Sequence, residues 1–279
     1  MEEAMTRDLG GLDLKAALRA AREAAMAGGE AALDYWGDTV RYQSKKDGSP
    51  VTEGDKASEA AILEVLAEAF PSHSVLTEES GAHEGDARYR WIVDPLDGTL
   101  GFTRGGFFWG PLVALEADGE IVAGACGLPV LGKYYWAARG QGCYLTEQYA
   151  SEEGEEPEPL RLEVSPRRNW KQCTVSVGEL SRLMQDHAAA MTELMTTARS
   201  VRCYGDAASC SLVLEGRAEV WIEGGVQPWD LGPFPVLLEE AGGRFSDFAG
   251  QRSIEGGYAI GSNGLLHDHV LEILAQQDG

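Results

Sequence analysis

Five acids stand where the chain changes direction: Asp55, Glu78, Asp94, Asp97 and Asp230. The densest stretch is Trp91-Ile92-Val93-Asp94-Pro95-Leu96-Asp97-Gly98-Thr99, where an apolar run suited to a buried strand ends on one carboxylate and meets a second three residues later. Pro95 cannot continue a central strand, so the sequence predicts a strand that stops at Asp94 and a fixed bend closed by Gly98-Thr99. Two acids at the end of a buried strand call for a cation between them, and the chemistry to test is therefore a metal site. Each acid also has an ordinary structural reading. Thr52-Glu53-Gly54-Asp55 has the spacing of a capping box, and Asp230 after Trp229 can cap a helix. Glu78 can be a plain surface acid, and Asp97-Gly98 is a common turn pair.

The elements that must position these acids come from a chain of 279 residues, enough for one large domain or two closely associated ones. The net charge of −22 argues against nucleic acid or an anionic membrane as partner, since both need a positive surface. The first eight residues are acidic and lack a signal-peptide core, and no apolar run reaches the length of a membrane span, so a cytoplasmic location is expected. Five cysteines without a C-x-x-C pair read as reduced, mostly buried thiols. His267 and His269 flank Asp268 and are expected at the surface.

Apolar periodicity predicts a helix over 12–35, weakened by Gly28-Gly29, and a second running from Asp55 to about Phe70. Between them, 43–54 reads as a polar loop. Strands are expected at 74–77, 91–94, 107–116, 120–128 and 133–138, with an Asp-Gly hairpin turn at Asp118-Gly119. Residues 140–159 form a break whose acidic run reads as an exposed loop. Beyond it come strands at 173–177, 200–203, 219–223, 243–246 and 257–260, and helices at 180–195, 207–215, 229–241 and 265–275. The irregular alternation with a hairpin meander predicts a layered α/β fold, with an N-terminal half (1–145), an acidic loop (146–159) and a C-terminal half (160–279).

Asp94-Pro95-Leu96-Asp97-Gly98-Thr99, with Glu78-Glu79-Ser80-Gly81 upstream and Trp229-Asp230 followed by Glu239-Glu240-Ala241-Gly242-Gly243, resembles the inositol monophosphatase superfamily over roughly residues 43–261. The resemblance implies an αβαβα layered sandwich and a Mg²⁺-dependent phosphomonoesterase. It implies one ion on Glu78, Asp94 and the Leu96 carbonyl, a second on Asp94, Asp97 and Asp230, and a weaker third near Asp55. Oxygen ligands suit a hard cation. It further implies that Thr99, with Glu78 and Asp55, aims a water at phosphorus, that Gly98 and Thr99 meet the phosphate, and that lithium inhibits. For substrate choice it points to Asp206 and Glu223, beside Asp97 and Asp230. Tyr204-Gly205-Asp206 and the 229–250 block resemble the bacterial histidinol-phosphate phosphatase branch. Histidinol phosphate is thus the first candidate and inositol phosphate the second. Fructose bisphosphate and phosphoadenosine phosphate stand lower because no extra basic cluster is seen. A homodimer is implied. A catalytically silent metal- or phosphate-binding regulator, a different class of protein, would lack Thr99, Asp97 or Glu78, and all three are present. Phe107-Phe108-Trp109 is bulky for the family and is expected to pack in the core.

Overall fold

The computed structural model describes residues 11–37, 39–46, 48–148 and 158–276. Most of the acidic run expected as a loop lies outside the described residues. In chain order the elements are α1 (Leu14–Leu33), β1 (Tyr42–Ser44), β2 (Pro50–Thr52), α2 (Glu53–Ala69), β3 (His73–Thr77), β4 (Gly81–His83), β5 (Asp86–Asp97), α3 (Thr99–Phe102), β6 (Gly110–Ala117), β7 (Glu120–Leu128), β8 (Lys133–Ala138), β9 (Gly142–Glu147) and β10 (Leu160–Arg161). They continue as β11 (Thr174–Val177), α4 (Leu180–Asp186), α5 (Ala188–Thr197), β12 (Ser200–Arg202), α6 (Asp206–Leu214), β13 (Val220–Gly224), α7 (Pro228–Leu231), α8 (Phe234–Glu240), β14 (Arg244–Ser246), β15 (Tyr258–Ser262) and α9 (His267–Ala275).

Strand alternation sorts these elements into five layers. An eight-stranded sheet runs β10-β9-β8-β7-β6-β5-β3-β4, and a five-stranded sheet runs β12-β11-β13-β15-β14. On β5, Trp91 and Val93 face one way and join a core with the alanine-rich stripe of α1 and with Ile62 and Leu66 of α2. Ile92 faces the other way, into a central core with α6 and α8 that also takes Trp221 and Ala259 from the smaller sheet. Val220, Ile222 and Ile260, on that sheet's outer face, pack against α4, α5 and α9. The order is therefore helix, sheet, helix, sheet, helix, the αβαβα architecture.

Several expectations are corrected. Strand β5 does not stop at Asp94 but runs through Pro95 to Asp97, because its register against β6 shifts between Asp94 and Asp97. A bulge is where a proline without an N–H can sit inside a sheet. Gly28 and Gly29 lie inside an α1 that continues past them to Leu33. A Cβ on Gly28 would lie 2.7 Å from Ile62, and one on Gly29 2.4 Å from the Tyr134 hydroxyl, so these glycines let α1 approach α2 and β8 closely. The expected polar loop at 43–54 contains the hairpin β1–β2, and the break at 140–159 opens with β9, paired along β8. The helix expected at 180–195 divides at His187, whose ring packs on Phe248 and Tyr258. The one expected at 229–241 divides at Gly232-Pro233. His267 is fully buried, its ring between the hydroxyls of Ser246 and Ser262 at 2.8 and 2.9 Å, and His269 is half-buried against Trp170. In contrast, Asp118 and Gly119 both have positive φ (51° and 81°), the geometry of the expected hairpin turn.

Candidate active site

Parallel strands bring the acids together. β3 and β5 are parallel, so Glu78, just past β3, stands beside the end of β5 that carries Asp94 and Asp97. β11, β12 and β13 are mutually parallel as well, and their C-terminal ends lead to Glu179, Tyr204 and Glu223. Ligand sites in open α/β sheets form at such carboxyl ends. Helix α6 contributes Asp206 and α7 contributes Asp230. The result is a cavity of about 570 Å³ lined by Glu78, Asp94, Leu96, Asp97, Gly98, Thr99, Asp206, Glu223 and Asp230. Among the residues expected from sequence, Asp55 alone is not on its wall. It lies beneath Thr99, 1% exposed.

Backbone N–H groups fix the acids one oxygen at a time. Asp94 Oδ1 accepts from Leu96 N at 2.9 Å, Asp97 Oδ2 from Ala207 N at 2.8 Å, and Asp230 Oδ2 from Gln227 N at 2.7 Å. The Asp97 bond ties the bend after β5 to the start of α6, and so joins the two sheets at the site. Asp55 completes a capping box with Thr52: its Oδ2 accepts from Thr52 N at 2.7 Å and from Thr52 Oγ1 at 2.5 Å. Thr99 Oγ1 stands 3.1 Å from Asp55 Oδ1 and 2.9 Å from the Leu96 carbonyl. Gly98 has φ of 82°, and a Cβ there would lie 2.7 Å from Phe108 O and 3.3 Å from Asp206 Oδ2, so only glycine fits this bend.

The electrostatics are those of acids crowded away from water. Burial pushes Asp94 well above the usual carboxylate range, and Glu78, Asp97 and Asp230 push it further. Asp97 is raised well above that range by burial and then by Asp206. Burial, with Glu78 and Asp206 adding to it, brings Asp230 to about 7. Asp206 rises to about 6 through burial and Glu179, and Glu223 to about 8 through burial and Asp206. Burial also raises Asp55, against the bonds from Thr52 and Thr99. Lys45 is an internal counter-ion, bonded to Glu78 at 2.7 Å and Glu79 at 2.6 Å. Burial works against its charge, yet these two bonds outweigh that and its pKa rises.

Sequence reasoning missed Lys45, Glu179 and the aromatic rim. Lys45 sits in what reads as an ordinary polar loop. Glu179 carries a signal that was available, an acid immediately after a strand and before a helix, and its φ of 33° is rare for a residue with a side chain. Phe107-Phe108-Trp109 divides in its roles. Trp109 is buried against Phe102, but Phe107 and Phe108 are exposed on the cavity wall, because β6 begins only at Gly110.

The donor set suits a hard divalent cation. It is all oxygen, Asp94 and Asp97 are buried and Glu78 and Asp230 half-buried, and its members repel one another. Among the described residues no three acid, imidazole or thiol groups form a closed ligand cluster as they stand. The acids line the cavity without closing on one point. Comparison with known proteins agrees with this chemistry. The model of the inositol monophosphatase family matches residues 13–278. A histidinol-phosphatase of Mycobacterium tuberculosis is 37% identical over 236 residues, covering 83% of this chain and 87% of that protein. An inositol-1-monophosphatase of Mesorhizobium japonicum is 31% identical over 258 residues, covering 90% and 92%. The structure of an inositol monophosphatase from Anabaena superposes with a TM-score of 0.79 at 29% identity, covering 95% of this chain and 98% of that one. The chain belongs to the inositol monophosphatase family, whose members are metal-dependent phosphomonoesterases that use Mg²⁺.

Proposed function

We propose that this chain hydrolyses the phosphate ester of a small amino alcohol, histidinol phosphate, with Mg²⁺ held by Glu78, Asp94, Asp97, Asp230 and the Leu96 carbonyl. Bound there, Mg²⁺ supplies the positive charge that neutralises the phosphate and acidifies the attacking water. The side chains do the rest. Thr99 gives its hydroxyl proton to Asp55, 3.1 Å away, and takes the proton of the water as that water attacks phosphorus in line; the ester P–O bond opposite breaks, the departing alcohol oxygen takes a proton from solvent, and Asp55 releases its own to solvent. Asp55 is fixed for this by its two bonds from Thr52. Glu78 helps to orient the water. Gly98 lets the bend close against Phe108 O, where a Cβ would collide. Two ions at the four acids, a third near Asp55, lithium sensitivity and a homodimer belong to the same reading.

The observation that carries the substrate choice is a further set of acids on the wall of the same cavity. Glu179, Asp206 and Glu223 line the cavity, and among the described residues no salt bridge engages them. Among the described residues Arg104 is the one basic side chain lining that cavity. Such a wall favours a substrate that brings its own positive charge, as the amine of histidinol does, and disfavours a second phosphate. The similarity to a protein named histidinol-phosphatase supports this reading. Inositol 1-phosphate is the second reading, because buried carboxylates also accept hydroxyl donors and a relative named inositol-1-monophosphatase is nearly as similar. The test is phosphate release with Mg²⁺ from histidinol phosphate, inositol 1-phosphate and fructose 1,6-bisphosphate, beside an Asp94→Asn variant. Histidinol phosphate should have the highest kcat/KM, and the variant should be inactive on all three. Preference for inositol 1-phosphate would overturn the substrate choice, and metal-independent release would overturn the mechanism.

A further inference from the structure

Two rings at the mouth of the cavity serve neither the core nor the proton path. Phe108 and Tyr204 are 39% and 43% exposed, yet they meet edge to face, their centroids 5.4 Å apart at 64°. They come from opposite halves of the fold, Phe108 from the loop before β6 and Tyr204 from the loop before α6. The first of these loops is braced. Trp36 Nε1 donates to Gly106 O at 2.9 Å, and the Trp36 ring meets Phe107 at 5.9 Å. Both rings line the same cavity as the metal-ligand candidates.

The position of the pair relative to the phosphate bend decides what it can do. The direction in which a Cβ would leave Gly98 meets Phe108 O at 2.7 Å and Asp206 Oδ2 at 3.3 Å. Phe108 and Asp206 are thus immediate neighbours of the bend proposed to receive the phosphate. It is the Phe108 backbone and the half-buried Asp206 carboxylate that flank the bend, and the Phe108 and Tyr204 rings line the same cavity, so an alcohol attached to that phosphate shares the cavity with an aromatic pair and an acid. Aromatic faces favour flat rings by offset or edge-to-face contact, and favour cations through the ring quadrupole. A nearby acid favours an amine. A plain polyol uses the acid and leaves the rings idle.

We propose that Phe108 and Tyr204 form a ring-binding lip that selects phosphate esters whose amino-alcohol portion carries a flat heteroaromatic ring. This rests on the phosphatase reading above and adds to it two specificity-determining residues outside the metal and proton machinery. Phe108→Leu and Tyr204→Leu, singly and together, keep apolar bulk and remove the ring faces. The readout is the ratio of kcat/KM for histidinol phosphate to that for alaninol phosphate, which has the same amino alcohol without the ring. The double variant should lower this ratio about tenfold, chiefly through the KM of histidinol phosphate, the scale of one or two aromatic contacts. A ratio within twofold of the wild type would overturn the lip. A second measurement needs no variant: free histidinol should compete with alaninol phosphate at about one-tenth the concentration that free alaninol requires. Equal inhibition by the two alcohols would also overturn the lip, while leaving a phosphatase that cleaves both esters intact. Release from neither ester would instead overturn the amino-alcohol phosphatase reading beneath it.

Discussion

Replacing Asp230 with asparagine tests whether the buried acids of this site are a store of repulsion that a cation relieves. Asparagine keeps the shape, and its carbonyl can still accept the 2.7 Å bond from Gln227 N. What it removes is a charge whose carboxyl is pushed by burial, and then by Glu78 and Asp206, from 3.8 to about 7. The folded state holds that proton more tightly than the unfolded chain does. Stability from this group is therefore complete below about pH 4 and is lost as pH rises through about 7. The span corresponds to at most about 4 kcal/mol. In EDTA at pH 8, Asp230→Asn should thus be more stable than the wild type, with a Tm higher by on the order of 5–10 °C for a chain of this size. At pH 4 the two should melt together.

Mg²⁺ should reverse the order. Its positive charge cancels the repulsion in the wild type and finds one ligand fewer in the variant, so at pH 8 the wild type should gain more Tm from the ion. The assay is thermal unfolding by circular dichroism at pH 4 and 8, each with EDTA and with Mg²⁺. Comparing variant with wild type at one pH cancels the titrating groups that Asp230 does not reach, while Asp94 and Asp97, which its charge pushes up, are relieved in the variant and add to the difference in the same direction. A variant less stable than the wild type in EDTA at pH 8, by the same margin as at pH 4, would refute the reasoning. Asp230 would then be a structural cap, as its capping box with Gln227 alone suggests.

Three further outcomes are expected. Thr99→Ala should lower kcat by about a hundredfold or more with little change in KM, since it removes the hydroxyl between water and Asp55, while Thr99→Ser keeps much of the rate; steady-state phosphate release checks both. Gly178→Ala would place a Cβ 1.9 Å from Glu223 Oε2 and force that acid off its bonds from Trp221 Nε1 and Gly224 N, so KM for an amine-bearing ester should rise about tenfold while kcat changes less. Buried His267, held near 4 by burial and then by Arg244, is neutral in the fold; its stability is present above about 6.5 and lost as pH falls toward 4, a cost of about 3 kcal/mol that urea unfolding of the Mg²⁺-loaded protein at pH 7 and 4.5 should register and His267→Asn should lessen.

What could be read from sequence was local chemistry at short spacing. Asp94-Pro95-Leu96-Asp97-Gly98-Thr99 announces itself because an apolar strand, two acids and a glycine bend fall within nine residues. The misreadings share one cause, a propensity rule applied where packing overrules it. Pro95 reads as a strand end, but a bulge accommodates it. Gly28-Gly29 reads as a weak place in a helix, but it is where Ile62 and Tyr134 press in. His267 reads as surface because a polar residue near a chain end usually is, and only the fold shows Ser246 and Ser262 on either side of its ring. The aromatic lip is beyond any local reading, since Phe108 and Tyr204 meet only after two sheets have stacked.

Asp55 shows why the structural and chemical readings of an acid need not compete. As a helix cap it has to present one oxygen to the backbone of Thr52, and Oδ2 does so while also accepting the Thr52 hydroxyl. That arrangement fixes the rotamer and leaves Oδ1 pointing at Thr99. Without the cap, a buried carboxylate within reach of Glu79's charge would turn away or take up a proton, and Thr99 would lose a fixed acceptor. On the proposed mechanism the capping box is what makes the proton path possible, and a Thr52→Val variant should lower kcat even though Thr52 is not on the cavity wall. If kcat holds while thermal stability falls by about 1 kcal/mol, the value of an ordinary cap, then Asp55 serves α2 alone.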